Sequence, residues 1–103
     1  MICITGTYVW RDGARFDHQI YETEHLALTR ELLGPLGLTR LEALRLIHPN
    51  GPREGEAIVV TQAQFETLDQ ARAALAQAGP QLAAHISRYT DLQPQLRLAE
   101  IKT

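Results

Sequence analysis

Ile2-Cys3-Ile4-Thr5-Gly6-Thr7-Tyr8-Val9, followed after a short turn by Asp17-His18-Gln19-Ile20-Tyr21-Glu22-Thr23-Glu24-His25-Leu26-Ala27-Leu28, carries the change of period on which the fold depends. The first stretch is rich in β-branched and aromatic residues and predicts a strand. Arg11-Asp12-Gly13-Ala14-Arg15 predicts the turn. Asp17 suits the N-cap of a helix running to about Leu33, since its carboxylate can accept from free backbone N–H groups. At ~100° per residue, Tyr21, Leu28 and Leu32 fall in a narrow stripe, with His25 at its edge. A helix that turns these leucines inward carries an imidazole and a phenol towards the interior. Histidine is the side chain best suited to acid–base work near neutral pH. A core histidine hydrogen-bonded to backbone or water fits the same position.

Working outward, Gly34-Pro35 and Gly37 end the helix. Leu41 to Ile47 reads as a second strand and Ala57 to Ala63 as a third, joined through the turn cluster Pro49-Asn50-Gly51-Pro52-Arg53-Glu54-Gly55. Thr67-Leu68-Asp69-Gln70 resembles a capping box. Leu68, Ala71, Leu75 and Ala78 then share a helical face. Gly79-Pro80 is expected to interrupt this helix and to start a short further one, ending near Arg88. The last strand is expected over Leu92 to Ile101, at a sheet edge because Pro94 lacks a ladder donor. Strand, helix, strand, strand, helix, strand is the order of the ferredoxin-like split βαβ sandwich. The fold class is thus α+β, in one domain over 1–103.

Helices cover one face of such a sheet. In the first and third strands both parities are largely uncharged: Ile2, Ile4 and Tyr8 against Cys3, Thr5 and Val9, and Ile58 and Val60 against Val59 and Ala63. A face left in water should alternate towards polar residues. The expectation is a homodimer joined through the open sheet face.

Ten basic and twelve acidic residues, scattered along the chain, give no electrostatic footprint for nucleic acid. Cys3 is the only cysteine, so no intrachain disulfide forms. The initial apolar run stops at Thr5-Gly6, so no signal peptide is expected, and no stretch approaches the ~20 apolar residues of a membrane span. A cytoplasmic protein is expected.

His18, Glu22 and His25 share about 60° of the first helix, a spacing open to metal ligation, although no other ligand pair lies near; no metal is expected. His48 and His85 read as structural or exposed. No phosphate loop or nucleophile elbow is present. Tyr8, Trp10 and Phe16 gather near the first strand's end and the helix start, within reach of Tyr21 and His25. They predict either a part-apolar pocket or ordinary core aromatics.

Ala14-Arg15-Phe16-Asp17, Ile20-Tyr21, His25-Leu26-Ala27-Leu28 and Leu33-Gly34-Pro35 resemble the opening of the EthD family. Phe65-Glu66-Thr67-Leu68-Asp69-Gln70-Ala71 resembles its second-helix entry. Arg88-Tyr89-Thr90-Asp91-Leu92-Gln93-Pro94, with Ala99-Glu100-Ile101, resembles its closing motif. The chain departs at Ile20, where many members carry an aromatic, and at Ala27, where proline is common. The resemblance implies a ferredoxin-like chain pairing into a dimeric α/β barrel. It also implies a small cofactor-independent enzyme (isomerase, cyclase, dehydratase or oxygenase in type) acting on a hydrophobic or cyclic organic metabolite. His25 would be general acid or base and Tyr21 would orient the substrate or stabilise an enolate oxygen, with Tyr8, Trp10 and Phe16 against it. A non-catalytic binding protein for such a metabolite is the alternative, and haem binding through His25 a third reading.

Overall fold

The structure, a computed structural model, describes residues 1–103. Strands β1 (Ile2–Val9), β2 (Arg40–Arg45), β3 (Ala57–Phe65) and β4 (Gln95–Glu100) form one sheet in the order β2-β3-β1-β4, with antiparallel neighbours throughout. Helix α1 spans 18–33 and helix α2 Leu68–His85. This is the ferredoxin-like α+β sandwich. No helix is long and apolar enough to cross a membrane.

Side chains alternate across β1, so Ile4, Gly6 and Tyr8 face the helices together with Val59, Thr61 and Ala63 of β3. Cys3, Thr5 and Thr7 take the opposite face, beside Gln64, Gln62 and Val60. The two central strands are therefore uncharged on the open face. Arg40, Glu42 and Arg97 lie beside them on the flanking strands.

Under the helices the core has two parts. Ala71, Ala74 and Ala78 of α2 pack on Ile4, Ala63 and Phe65, and the small side chains let that helix lie close to the sheet. Beside them Tyr8, Tyr21 and Tyr89 form an aromatic cluster with Ile58, Val59, Leu26 and Ile86. Trp10 and Phe16 pack against this cluster.

Both helix starts follow from the sequence. The Asp17 carboxylate accepts from the Ile20 N–H at 3.0 Å. The Thr67 hydroxyl accepts from Gln70 N–H at 3.2 Å while the Gln70 side chain accepts from Thr67 N–H at 3.3 Å.

Several expected boundaries are corrected. β2 stops at Arg45 and β3 continues to Phe65. Helix α2 runs unbroken through Gly79-Pro80. Proline removes one backbone donor, but Ala76 and Pro80 both lie on the solvent side, where water can serve the freed carbonyl. A 3₁₀ turn, Ile86–Arg88, then closes the helix. β4 begins at Gln95, so Pro94 precedes the strand; β4 is an edge strand all the same.

The larger correction concerns α1. Regular turns at His18–Ile20 and Leu26–Leu33 flank a π-helical segment, Tyr21–His25, in which Leu26 N–H donates to Tyr21 O. An i→i+5 turn holds one residue more than an α-turn, so everything after it is displaced by about one position around the axis. The buried stripe is accordingly Tyr21, His25, Leu26, Thr29 and Leu33, while Leu28 and Leu32 are only half-buried. His25 moves from the edge of the stripe to its middle.

Candidate functional site

Between the helix layer and the sheet lies a cavity of about 130 Å³. Ile4 and Gly6 of β1 and Ala63 of β3 form its floor, and Leu75, Gly79 and Leu82 of α2 one wall. Gly6 matters here because a side chain at that position would occupy the cavity. Pro94 and Leu96 lie at the rim, and Leu96 is 55% exposed, so the mouth opens between α2 and the β4 edge. The polar groups are few: His25, Thr29 and Thr61, with Tyr8 beside them.

His25 is 8% exposed. Its Nδ1 lies 3.0 Å from Nδ1 of His85 at the end of α2, so one ring donates and the other accepts. The rings are near parallel, with centroids 5.2 Å apart. Tyr21 stacks against the imidazole, with ring centroids 5.7 Å apart. Burial, with a smaller repulsion from the His85 side chain, lowers the His25 pKa to about 4. Near neutral pH the ring is uncharged and has a lone pair to offer. The His25 carbonyl accepts from the Thr29 hydroxyl at 2.7 Å, which ties down this turn of α1.

Two hydroxyl pairs flank the imidazole. The Tyr21 phenol hydrogen-bonds Thr61 Oγ1, and the Tyr8 and Tyr89 phenols meet at 2.5 Å. Burial raises the pKa of all three phenols, so they are neutral donors or acceptors. Tyr89 is held by the segment that leads into α1: Asp17 N–H donates to its carbonyl at 2.7 Å, and Phe16 pairs with Thr90. The carboxylate of Asp91 accepts from Arg15 N–H at 2.9 Å.

Of the residues singled out in the sequence, His25 and Tyr8 line the cavity. Tyr21 stands just behind its wall and reaches it through Thr61. Trp10 and Phe16 belong to the aromatic cluster, Phe16 lying 5.1 Å from Tyr8 and 5.4 Å from Tyr21 between ring centroids, but neither lines the cavity. His18 turns away from His25 into a separate depression with Arg45 and His48, so the two histidines do not converge on one ligand position. His85, expected to be structural or exposed, is the partner of His25. Thr61 and Tyr89 were also missed. Thr61 sits on the helix-facing parity of a strand otherwise filled by Val59, Ala63 and Phe65, and a hydroxyl in such a row was the available signal.

The same architecture recurs in solved structures. An EthD-like protein from Ralstonia eutropha JMP134 superposes with TM-score 0.83 at 22% identity, over 99% of this chain and 92% of that one. The chain has the fold of EthD-like proteins. An ethyl tert-butyl ether d (EthD) family protein from Bacillus halodurans C-125 gives 0.72 at 17% identity, over 99% of both chains. A protein of Arabidopsis thaliana gives 0.71 at 11% identity, over 100% and 97%. No protein-family model and no curated protein matches the sequence.

Proposed function

We propose that this EthD-like chain is a small cofactor-independent enzyme that moves a proton on a hydrophobic, cyclic organic metabolite, with His25 as the general acid or base. The observation that carries this reading is a neutral imidazole, nearly the only basic group in an otherwise apolar cavity. Apolar walls favour a ring, and a few convergent polar groups fix its orientation. An apolar space of about this size, roughly 150 Å³, accepts benzene in a protein core. The cavity is therefore matched to a single ring, with any further substituents leaving through the mouth beside Leu96. That volume argues against a porphyrin.

With Nδ1 engaged by His85, Nε2 of His25 is the nitrogen left for substrate. An imidazole of such low pKa is a weak base, so the substrate proton should be an activated one, on a carbon next to a carbonyl or on an enol or phenol. The Tyr21–Thr61 pair stands close by; Tyr21 donating to Thr61 would leave the Thr61 proton to meet a developing enolate oxygen. Pairing of two chains through the open face of the sheet would complete the dimeric barrel and cover the uncharged rows of β1 and β3.

The test is a screen of single-ring lactones, cyclic enones and phenolic acids. Binding is read from shifts of the His25 ring signals in NMR, and turnover from solvent deuterium entering the compound. Binding with exchange supports the enzyme. Binding without exchange across the panel supports the non-catalytic metabolite-binding protein, and no shift with any ring compound overturns both.

A further inference from the structure

We infer that His85 is the proton exit of the cavity, a positioning residue that selects the tautomer of His25 and relays its proton to solvent. The inference rests on the reading of His25 as the acid–base group. His25 lines the cavity and His85 does not, yet their Nδ1 atoms are 3.0 Å apart. His85 is half-buried at the last residue of an 18-residue helix, whose C-terminal carbonyls favour a cation. The pair thus joins an enclosed space to a surface position suited to holding a positive charge.

The surroundings leave no other route through the ring. Tyr21 stacks on His25 from the preceding turn of α1, and Tyr89 lies 4.8 Å from His25 and 6.2 Å from His85 between ring centroids. Both are phenols kept neutral by burial. Thr61 and Tyr8, facing from the sheet, carry no charge. Glu24, on the same stretch of α1, is paired with Arg88, and no carboxylate hydrogen-bonds either imidazole. His85 is the only ring partner that can take a proton from His25.

Proton accounting is closed. His25 begins with a proton on Nδ1, donated to the bare Nδ1 of His85. As Nε2 of His25 takes a proton from the substrate, the Nδ1 proton moves to His85. His85 is then an imidazolium, and it loses its Nε2 proton to water. The reverse order returns a proton to the product, so an isomerisation leaves both rings as they began. Without His85, the charge gained by His25 stays buried, where it is costly.

The experiment compares the wild-type chain with His85→Gln and His85→Asn, with folding checked by circular dichroism. Long-range ¹H–¹⁵N spectra across pH report which nitrogen of His25 is protonated, and they need no substrate. In wild type, His25 is expected to show one dominant tautomer and to titrate in two steps. In both variants the tautomer preference should relax and a single step remain. With a turned-over compound in hand, kcat should fall ~10- to 100-fold with KM little changed, and added imidazole should restore it in part. An unchanged His25 tautomer and titration in the folded variants overturns the relay even if catalysis by His25 is confirmed. A relaxed tautomer with unchanged kcat overturns the proton exit and leaves only positioning. Absence of any turnover, with the tautomer shift present, counts against the enzyme reading rather than against the coupling.

Discussion

The hydroxyls of Tyr8 and Tyr89 meet at 2.5 Å in the buried aromatic cluster, joining the centre of the sheet to the turn that follows α2. Each phenol satisfies the other, so neither needs water. Removing one hydroxyl strands its partner. Tyr8→Phe and Tyr89→Phe should each cost about 1–2 kcal/mol, and the double variant clearly less than their sum. Urea unfolding of the four proteins measures the cycle; additive losses would show the hydroxyls to be independent.

Acid should destabilise the fold through His25. Its pKa is about 4 in the folded chain against 6.5 when unperturbed. Between these values the unfolded chain binds a proton that the folded chain refuses. The contribution is full above the upper value, is lost as pH falls through the window at ~1.4 kcal/mol per unit, and levels off below the lower one. His25→Gln should lack this component. The difference between the two stability–pH curves, reaching roughly 3 kcal/mol, isolates it from the carboxylates that both proteins share.

If His25 is the acid–base group, His25→Ala should lose ~10²–10⁴ in rate on a substrate from the ring-compound screen. Tyr21→Phe should lose less, since the ring stays and one hydrogen bond to Thr61 goes. Steady-state kinetics on both folded variants decides it. Full activity in His25→Ala would remove the imidazole from the mechanism.

Gly6 offers a way to close the cavity without unfolding the chain. A Cβ there would meet Leu96 Cδ2 at 3.5 Å and Pro94 at 3.9 Å, ordinary contacts. Gly6→Val should therefore stay folded, its added methyl groups taking up cavity space while the removal of a strand glycine offsets crowding against Leu96. It should also abolish binding of ring compounds in calorimetry. Retained binding would place the ligand elsewhere.

The open face of the sheet predicts a dimer. Val60 lies on that face between Thr7 and Leu44, whereas Val59 faces the helices at 1% exposure. Light scattering should give a dimer for the wild-type chain at micromolar concentration and a folded monomer for Val60→Asp. A wild-type monomer would leave the uncharged rows of β1 and β3 without an occupant.

β1 and both helix starts were legible because each rests on local chemistry: β-branched residues in a row, a carboxylate at an N-cap, a threonine and a glutamine three apart. The order of elements then gave the ferredoxin-like topology. Pro80 misled because a proline breaks a helix only where its lost bond cannot be replaced, and exposure is not written in the local sequence. His25 was legible as an inward-facing imidazole, but only approximately, since a constant turn per residue cannot foresee an i→i+5 hydrogen bond. His85 was hidden for a different reason. Its partner lies sixty positions away, and only the packing of α2 beside α1 brings the rings together.

The inserted residue in α1 also bears on how related chains should be compared. An unbroken α-helix of the same length would turn Leu26, Thr29 and Leu33 about 100° away from the sheet. A related chain with a regular helix here would therefore need one residue fewer between Tyr21 and His25 to keep the same inward row. Two proteins of this shape are then to be aligned with a one-residue gap inside the first helix. Aligned without that gap, their reactive groups would be paired with the wrong neighbours although the backbones superpose.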